Sequence, residues 1–326
     1  MISDREFLMF EDGYFKPYFE KYIEYKRGKG EKVARSTIIR LRKLNNDLNQ
    51  YDCQIISQSM IEELLAPRDG LSESARQYTV SSLRQFSNFL NSLGITAATI
   101  PTKFMRSVKN EFRPYIFTDD EISLIVYTAD HLPKGQRTNH HQLVYPLIMR
   151  ILIGTGMRIG EVLALNVGDV DIESGIISVI DGKNGVSRYI PVSTSLKRVL
   201  KKYIDCIETT SDAYPFFVSP YTGQHYSYDA VRHMFQKIFT TANIYRPDGH
   251  LANIHSIRHT FCTKSLSQML SSGMNVYTAI PILAAYVGHV NYRDTEKYIH
   301  FTEQDYDSFL EKEASLGALI PEVDYE

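Results

Sequence analysis

Only one stretch of this 326-residue chain reads clearly as β structure. In "GIISVIDGKNGVSRYIPVS", residues 175–193, two β-branched runs flank the turn-forming "DGKNG". Such a pattern predicts a hairpin. Elsewhere the apolar residues recur three and four apart, which is the helical period. The chain is therefore expected to be mainly α with a small β-hairpin or sheet: an N-terminal helical bundle, then an α+β domain carrying the hairpin.

The first hundred residues supply the bundle. A helix is expected over 10–26, with Phe15, Phe19, Tyr22 and Ile23 on one face, and a second after Ser36, with Ile38, Leu41, Leu44 and Leu48 in line. Ser59 and Glu62 have capping-box spacing before "IEELLA". In "SARQYTVSSLRQFSNFLNSLG", Val80, Leu83, Phe86, Leu90 and Leu93 form a stripe that Gly94 can end. Two prolines and a basic excess then mark a break, read as a linker over 101–115. Thr118 and Glu121 cap the next helix, and further helices are expected near 195–208, 227–242, 256–271, 278–287 and 292–301. The boundaries are thus 1–100, 101–115, 116–301 and a tail over 302–326.

Charge is unevenly spread. The net of −2 argues by itself against a nucleic-acid partner. Yet residues 1–115 hold 18 Lys and Arg against 14 acids, while residues 302–326 hold one Lys against eight acids. An acidic tail masks a mildly basic body. The densest basic run, "KRGKGEKVARSTIIRLRK", spans 26–43 and suits either a solvated helix face or a phosphate-tracking surface. No apolar run approaches the roughly 18–20 residues of a membrane span, and the acidic N-terminus is not a signal peptide. Cys53, Cys206 and Cys262 lie far apart, so reduced thiols are expected, with Cys262 in the core.

No Gly-rich phosphate loop, H-E-x-x-H motif or metal-spaced Cys/His cluster is present. Asp169 and Asp171, the tightest acid pair, sit where a turn uses Asp anyway. The basic residues are more telling. Arg158 stands among glycines in "GTGMRIGEVLAL", Lys183 at the hairpin tip, His255 and Arg258 three apart in "HSIRHTF", and His289 after Gly288. His259 is expected to point elsewhere. Two arginines, a lysine and two histidines together suit the holding of a phosphodiester as its phosphorus becomes five-coordinate. A nucleophile is then needed. Tyrosine qualifies if cations lower its pKa, and Tyr286, Tyr292 and Tyr298 crowd "YVGHVNYRDTEKYIH".

The order Arg158, Lys183, His255-x-x-Arg258, Gly288-His289, Tyr298 resembles the tyrosine recombinase (phage integrase) family. "GTGMRIGEVLAL" resembles its first-arginine box, "HSIRHTF" its His-x-x-Arg box, and "VGHVNYRDTEKYIH" its Gly-His…Tyr box, whose nucleophile lies nine residues after the histidine. That spacing selects Tyr298 over Tyr292, and His300 fits the box's Tyr-x-His ending. One departure is "SSGMNVYTAIPILAAYVGH", a few residues longer than usual for the family.

The resemblance implies site-specific DNA strand exchange through a 3′-phosphotyrosine, with no metal and no ATP. Arg158, Arg258 and His289 would hold the phosphate, Tyr298 attack, Lys183 protonate the leaving 5′-hydroxyl, and His255 assist proton transfer; Glu161 and His300 would support. Residues 1–100 would be a core-binding domain that closes with the catalytic domain, 116–301, around duplex DNA carrying specific recombination sites. Lys26, Arg27, Lys29, Lys32, Arg35, Arg40, Arg42, Lys43, Lys103, Arg106 and Lys109 would meet its phosphates. Four protomers would assemble on two sites, with DNA-bending proteins as accessory partners and no membrane, in a cytoplasmic, nucleoid-associated setting. The tail would dock on a neighbour through Phe309, Leu310 and Leu316. A type IB-like topoisomerase, a telomere resolvase and an accessory DNA-binding protein with an inactive site are the alternatives.

Overall fold

A computed structural model describes residues 9–31, 33–51, 53–66, 73–101, 114–133, 140–180, 182, 187–207, 211–289, 295 and 298. The chain divides into two compact units, Met1–Glu111 and Phe112–Glu326.

In the first unit, helices α1 (Lys16–Gly28), α2 (Arg35–Asn49), α3 (Gln58–Leu64) and α4 (Glu73–Ser92) surround one core. Pro17 sits in the first turn of α1, where its missing N–H has no helical partner to lose. The helix therefore starts six residues later than the expected 10. Phe19 stacks on Phe86 at 3.8 Å, and the expected faces of α1 and α2 are buried. Two local expectations fail. Ser57, not Ser59, caps α3, its hydroxyl accepting from the Met60 N–H at 3.2 Å. Leu93 is 48% exposed, because α4 ends at Ser92 and Phe89 fills the stripe in its place.

In the second unit, Thr118 and Glu121 form the expected capping box at the start of α5 (Asp119–Asp130). Then come α6 (His140–Thr155), the short α7 (Ile159–Leu163), and an antiparallel sheet of β1 (Val170–Asp171), β2 (Ile176–Val179) and β3 (Arg188–Pro191) in that spatial order. The expected hairpin thus gains a third strand, which carries Asp171. Alternation puts Ile177, Val179 and Ile190 inward. Helices α8 (Thr194–Ile204), α9 (Tyr228–Thr241), α10 (Ile254–Ser271) and α11 (Val276–Val287) complete it. The long "SSGMNVYTAIPILAAYVGH" stretch contains α11, capped by Asn275 and closed by Gly288. Most of residues 292–301, expected as a helix, most of the linker and the tail lie outside the described residues. Among the described helices, none is long and apolar enough to cross a membrane. No cysteine is in a disulfide, and Cys262 is fully buried.

Candidate active site

Three arginines meet the C-terminal end of α11. The last carbonyls of a helix have no partner within it and carry the negative end of its dipole. Arg188 Nε donates to the Tyr286 carbonyl at 2.8 Å, Arg258 Nη2 to Val287 at 2.6 Å, and Arg158 Nη2 to Gly288 at 3.1 Å. Each comes from a different element: strand β3, the second turn of α10, and the residue capping α7. Gly288 is left-handed at φ +68°, and a Cβ there would lie 2.8 Å from Arg188 Nη1. Arg258 is tied again by Nη1 to the Gly156 carbonyl at 2.7 Å. Gly156 (φ +61°) presses against the Phe261 ring, where no Cβ fits.

Glu161, one turn after Arg158, joins two of the three. Its carboxylate accepts from Arg158 Nη1 at 2.9 Å, from the Arg158 backbone N–H at 2.9 Å, and from Arg188 Nη2 at 2.8 Å. Burial pushes its carboxyl up, but the bonds from Arg188 and Arg158 outweigh this and hold it below the usual range. Arg258 is only 3% exposed. Burial first, and the charge of Arg158 second, pull its guanidinium down to about 10. An anion shared by Arg158 and Arg258 would offset both costs.

The expected nucleophile lies close to this cluster. Tyr298 is 1% exposed and packs with Cys262, Leu266, Leu283 and Val287. Its hydroxyl is hydrogen-bonded to His259 Nδ1 at 2.9 Å. This corrects the expectation that His259 points elsewhere. His255 and His259 are four apart on α10, hence on one face, and their rings meet edge-on at 4.5 Å. The four-residue spacing of His255 and His259 carries that signal in the sequence. His289 follows Gly288; its Nδ1 is hydrogen-bonded to Thr295 Oγ1 at 2.8 Å, and its ring lies nearly parallel to that of Tyr298 at 6.5 Å. Exposed His255 borders a cleft of 270 Å³ with Arg232 and Tyr228. Arg188 and Thr295 are absent from the sequence expectation. Lys183, Tyr292 and His300 lie outside the described residues.

The basic run of the first unit is partly engaged. Lys26 pairs with Glu31 at 2.6 Å and lies 5.4 Å from the Tyr22 ring. Lys29 sits over Tyr25 at 4.5 Å and Arg40 over Tyr78 at 3.9 Å. Arg40 and Lys43 line one 140 Å³ cleft between α2 and α4 with Asp47 and Tyr78. Arg27 and Arg35 are exposed and Arg42 is half-buried. Lys32, Lys103, Arg106 and Lys109 lie outside the described residues.

Known proteins share this architecture. The tyrosine recombinase XerC of Staphylococcus carnosus is 25% identical over 237 residues, 72% of this chain and 73% of its own. XerC of Thermodesulfovibrio yellowstonii is 25% identical over 280 residues, 80% and 85% of the two chains. Among solved structures, the XerH site-specific recombinase bound to palindromic difH substrate aligns with TM-score 0.65 at 18% identity, over 94% of this chain and 85% of that one. The Tn1549 transposon integrase in complex with transposon right end DNA gives TM-score 0.63 at 20% identity, over 86% and 94%. Residues 116–305, more than half the chain, match the model of the phage integrase family. The chain belongs to that family, the DNA-strand-transferring tyrosine recombinases.

Proposed function

We propose that this protein is a site-specific DNA recombinase that cuts and rejoins strands through a 3′-phosphotyrosine on Tyr298. The observation that carries the reading is the gathering of Arg158 and Arg258 at one helix end, beside His289 and the Tyr298 phenol. Two rigid forks can each hold non-bridging oxygens of one phosphate. Fixed charge aimed at the five-coordinate transition state is the main catalytic contribution of such a site.

Tyr298 Oη attacks phosphorus, a P–O bond to tyrosine forms, and the P–O5′ bond breaks. The phenol's proton goes to a histidine of the site, with His255 as the group exposed towards solvent. The departing 5′-oxygen takes a proton from Lys183. One phosphodiester replaces another, so the step needs neither ATP nor metal, and a partner strand's 5′-hydroxyl reverses it. The DNA held in the Tn1549 integrase and XerH structures supports double-stranded DNA with specific sites as the substrate. Both units contribute to binding it. The assembly on DNA is a tetramer on two sites, joined through the tail 302–326, and accessory DNA-bending proteins assist.

The test is supercoiled DNA carrying the gene's own flanking sequence, incubated without metal or ATP, then probed for an SDS-resistant protein–DNA adduct. Wild type is expected to form it, Tyr292→Phe to retain it and Tyr298→Phe to lose it. An adduct that survives Tyr298→Phe would remove Tyr298 as the nucleophile. Relaxation of the supercoils with no strand exchange between two sites would identify a swivelling topoisomerase instead.

A further inference from the structure

We propose that Arg188, through Glu161, is the positioning residue that sets the phosphate-holding arginine Arg158 in place. The geometry around Arg188 is closed. The Arg188 side chain is 8% exposed, and both of its ends are committed. Nη1 and Nη2 donate to the two oxygens of Glu161 at 3.2 and 2.8 Å, and Nε donates to the Tyr286 carbonyl at 2.8 Å. Glu161 in turn grips Arg158 twice, at Nη1 and at the backbone N–H.

Two planar forks therefore share one carboxylate, and both forks are anchored on carbonyls two residues apart, Tyr286 and Gly288. The loop fixes the direction of the Arg158 guanidinium from both sides. Without Arg188, Glu161 keeps its charge in a buried place with one partner gone. Among the described residues, Arg158 is then the cation left paired with it, and a guanidinium drawn wholly onto Glu161 has fewer N–H groups for a phosphate. The packing at Gly288 fits the same role, since Arg188 Nη1 occupies the space a side chain would take.

This inference rests on the reading of Arg158 as a phosphate holder. Its test uses the full chain on the DNA of the adduct assay, with the scissile phosphate either natural or replaced by a methylphosphonate. The methylphosphonate has one non-bridging oxygen fewer and no negative charge, so it asks less of the arginines. Wild type, Arg158→Ala, Arg188→Met and Arg188→Lys are compared in single-turnover cleavage and in DNA binding. A displacement of catalytic groups by about 1 Å can lower rate about 100-fold. Arg188→Met is expected to lose about that factor on natural DNA with binding nearly unchanged, and to recover most of it on the methylphosphonate, the same pattern expected of Arg158→Ala. Arg188→Lys, which keeps the charge but not the fork, is expected to fall between. Equal deficits on both linkages would show a loss of fold only and overturn the proposal, as would a wild-type rate for Arg188→Met on natural DNA. Failure of wild type itself to form an adduct would overturn the functional reading, and this inference with it.

Discussion

Glu161 is the residue on which the site's charge balance turns, and its pH behaviour has a definite sign. Its carboxyl is held below the usual range in the folded protein. The stability this gives is fully present above the unfolded carboxylate pKa of about 4.3 and is lost as pH falls through the folded value. Glu161→Gln is expected to cost about 3 kcal/mol at pH 7, the scale of breaking a buried pair. Denaturant unfolding of both proteins from pH 7 to pH 3 should show the gap closing as pH drops below 4.3; a constant gap would refute the linkage. At this scale the sequence was most legible where motif and chemistry coincided, as at Arg158 and Arg258. It was least legible at Arg188. Its partner Glu161 is 27 positions away, and nothing in the local pattern links them. One clue existed: Arg188 and buried Ile190 share a strand face, and a charge on an inward face needs a partner.

Elements were legible where their signals are local. The Thr118–Glu121 box is such a signal and stands as expected. Ser59 misled because Ser57 lies two residues before it and the two hydroxyls touch at 2.8 Å. Ser57→Ala should lower the unfolding free energy of the first unit by about 1 kcal/mol, while Ser59→Ala should leave it within a few tenths. Thermal melts of the two variants, read side by side, decide which serine caps α3. Gly288 is a sharper case. Gly288→Ala forces a left-handed alanine, costing roughly 1–2 kcal/mol, and drives its methyl into Arg188. The expected result is a lower melting temperature together with slower adduct formation. Full activity would mean that the end of α11 can relax without disturbing the arginines.

For the whole molecule, the mainly helical make-up with one small sheet was readable from one hairpin amid helical periodicity. The packing of Tyr298 was not, because a nucleophile box gives spacing and says nothing of depth. If DNA affinity rests on phosphate contacts by the basic run, binding should fall about 10³-fold between 50 and 200 mM salt for some six contacts. Fluorescence anisotropy with a labelled duplex measures it, and a flat response would end the phosphate-tracking reading. Under the proposed mechanism, the burial of Tyr298 at 1% exposure would separate that binding from cutting. If Tyr298 is the nucleophile, its phenol reaches phosphorus only after leaving its apolar packing and its bond to His259, and only contacts that favour the released form can supply that work. A duplex that satisfies the basic surface alone would be held and left intact. Occupancy maps of this protein on a genome would then show far more sites than its scars do.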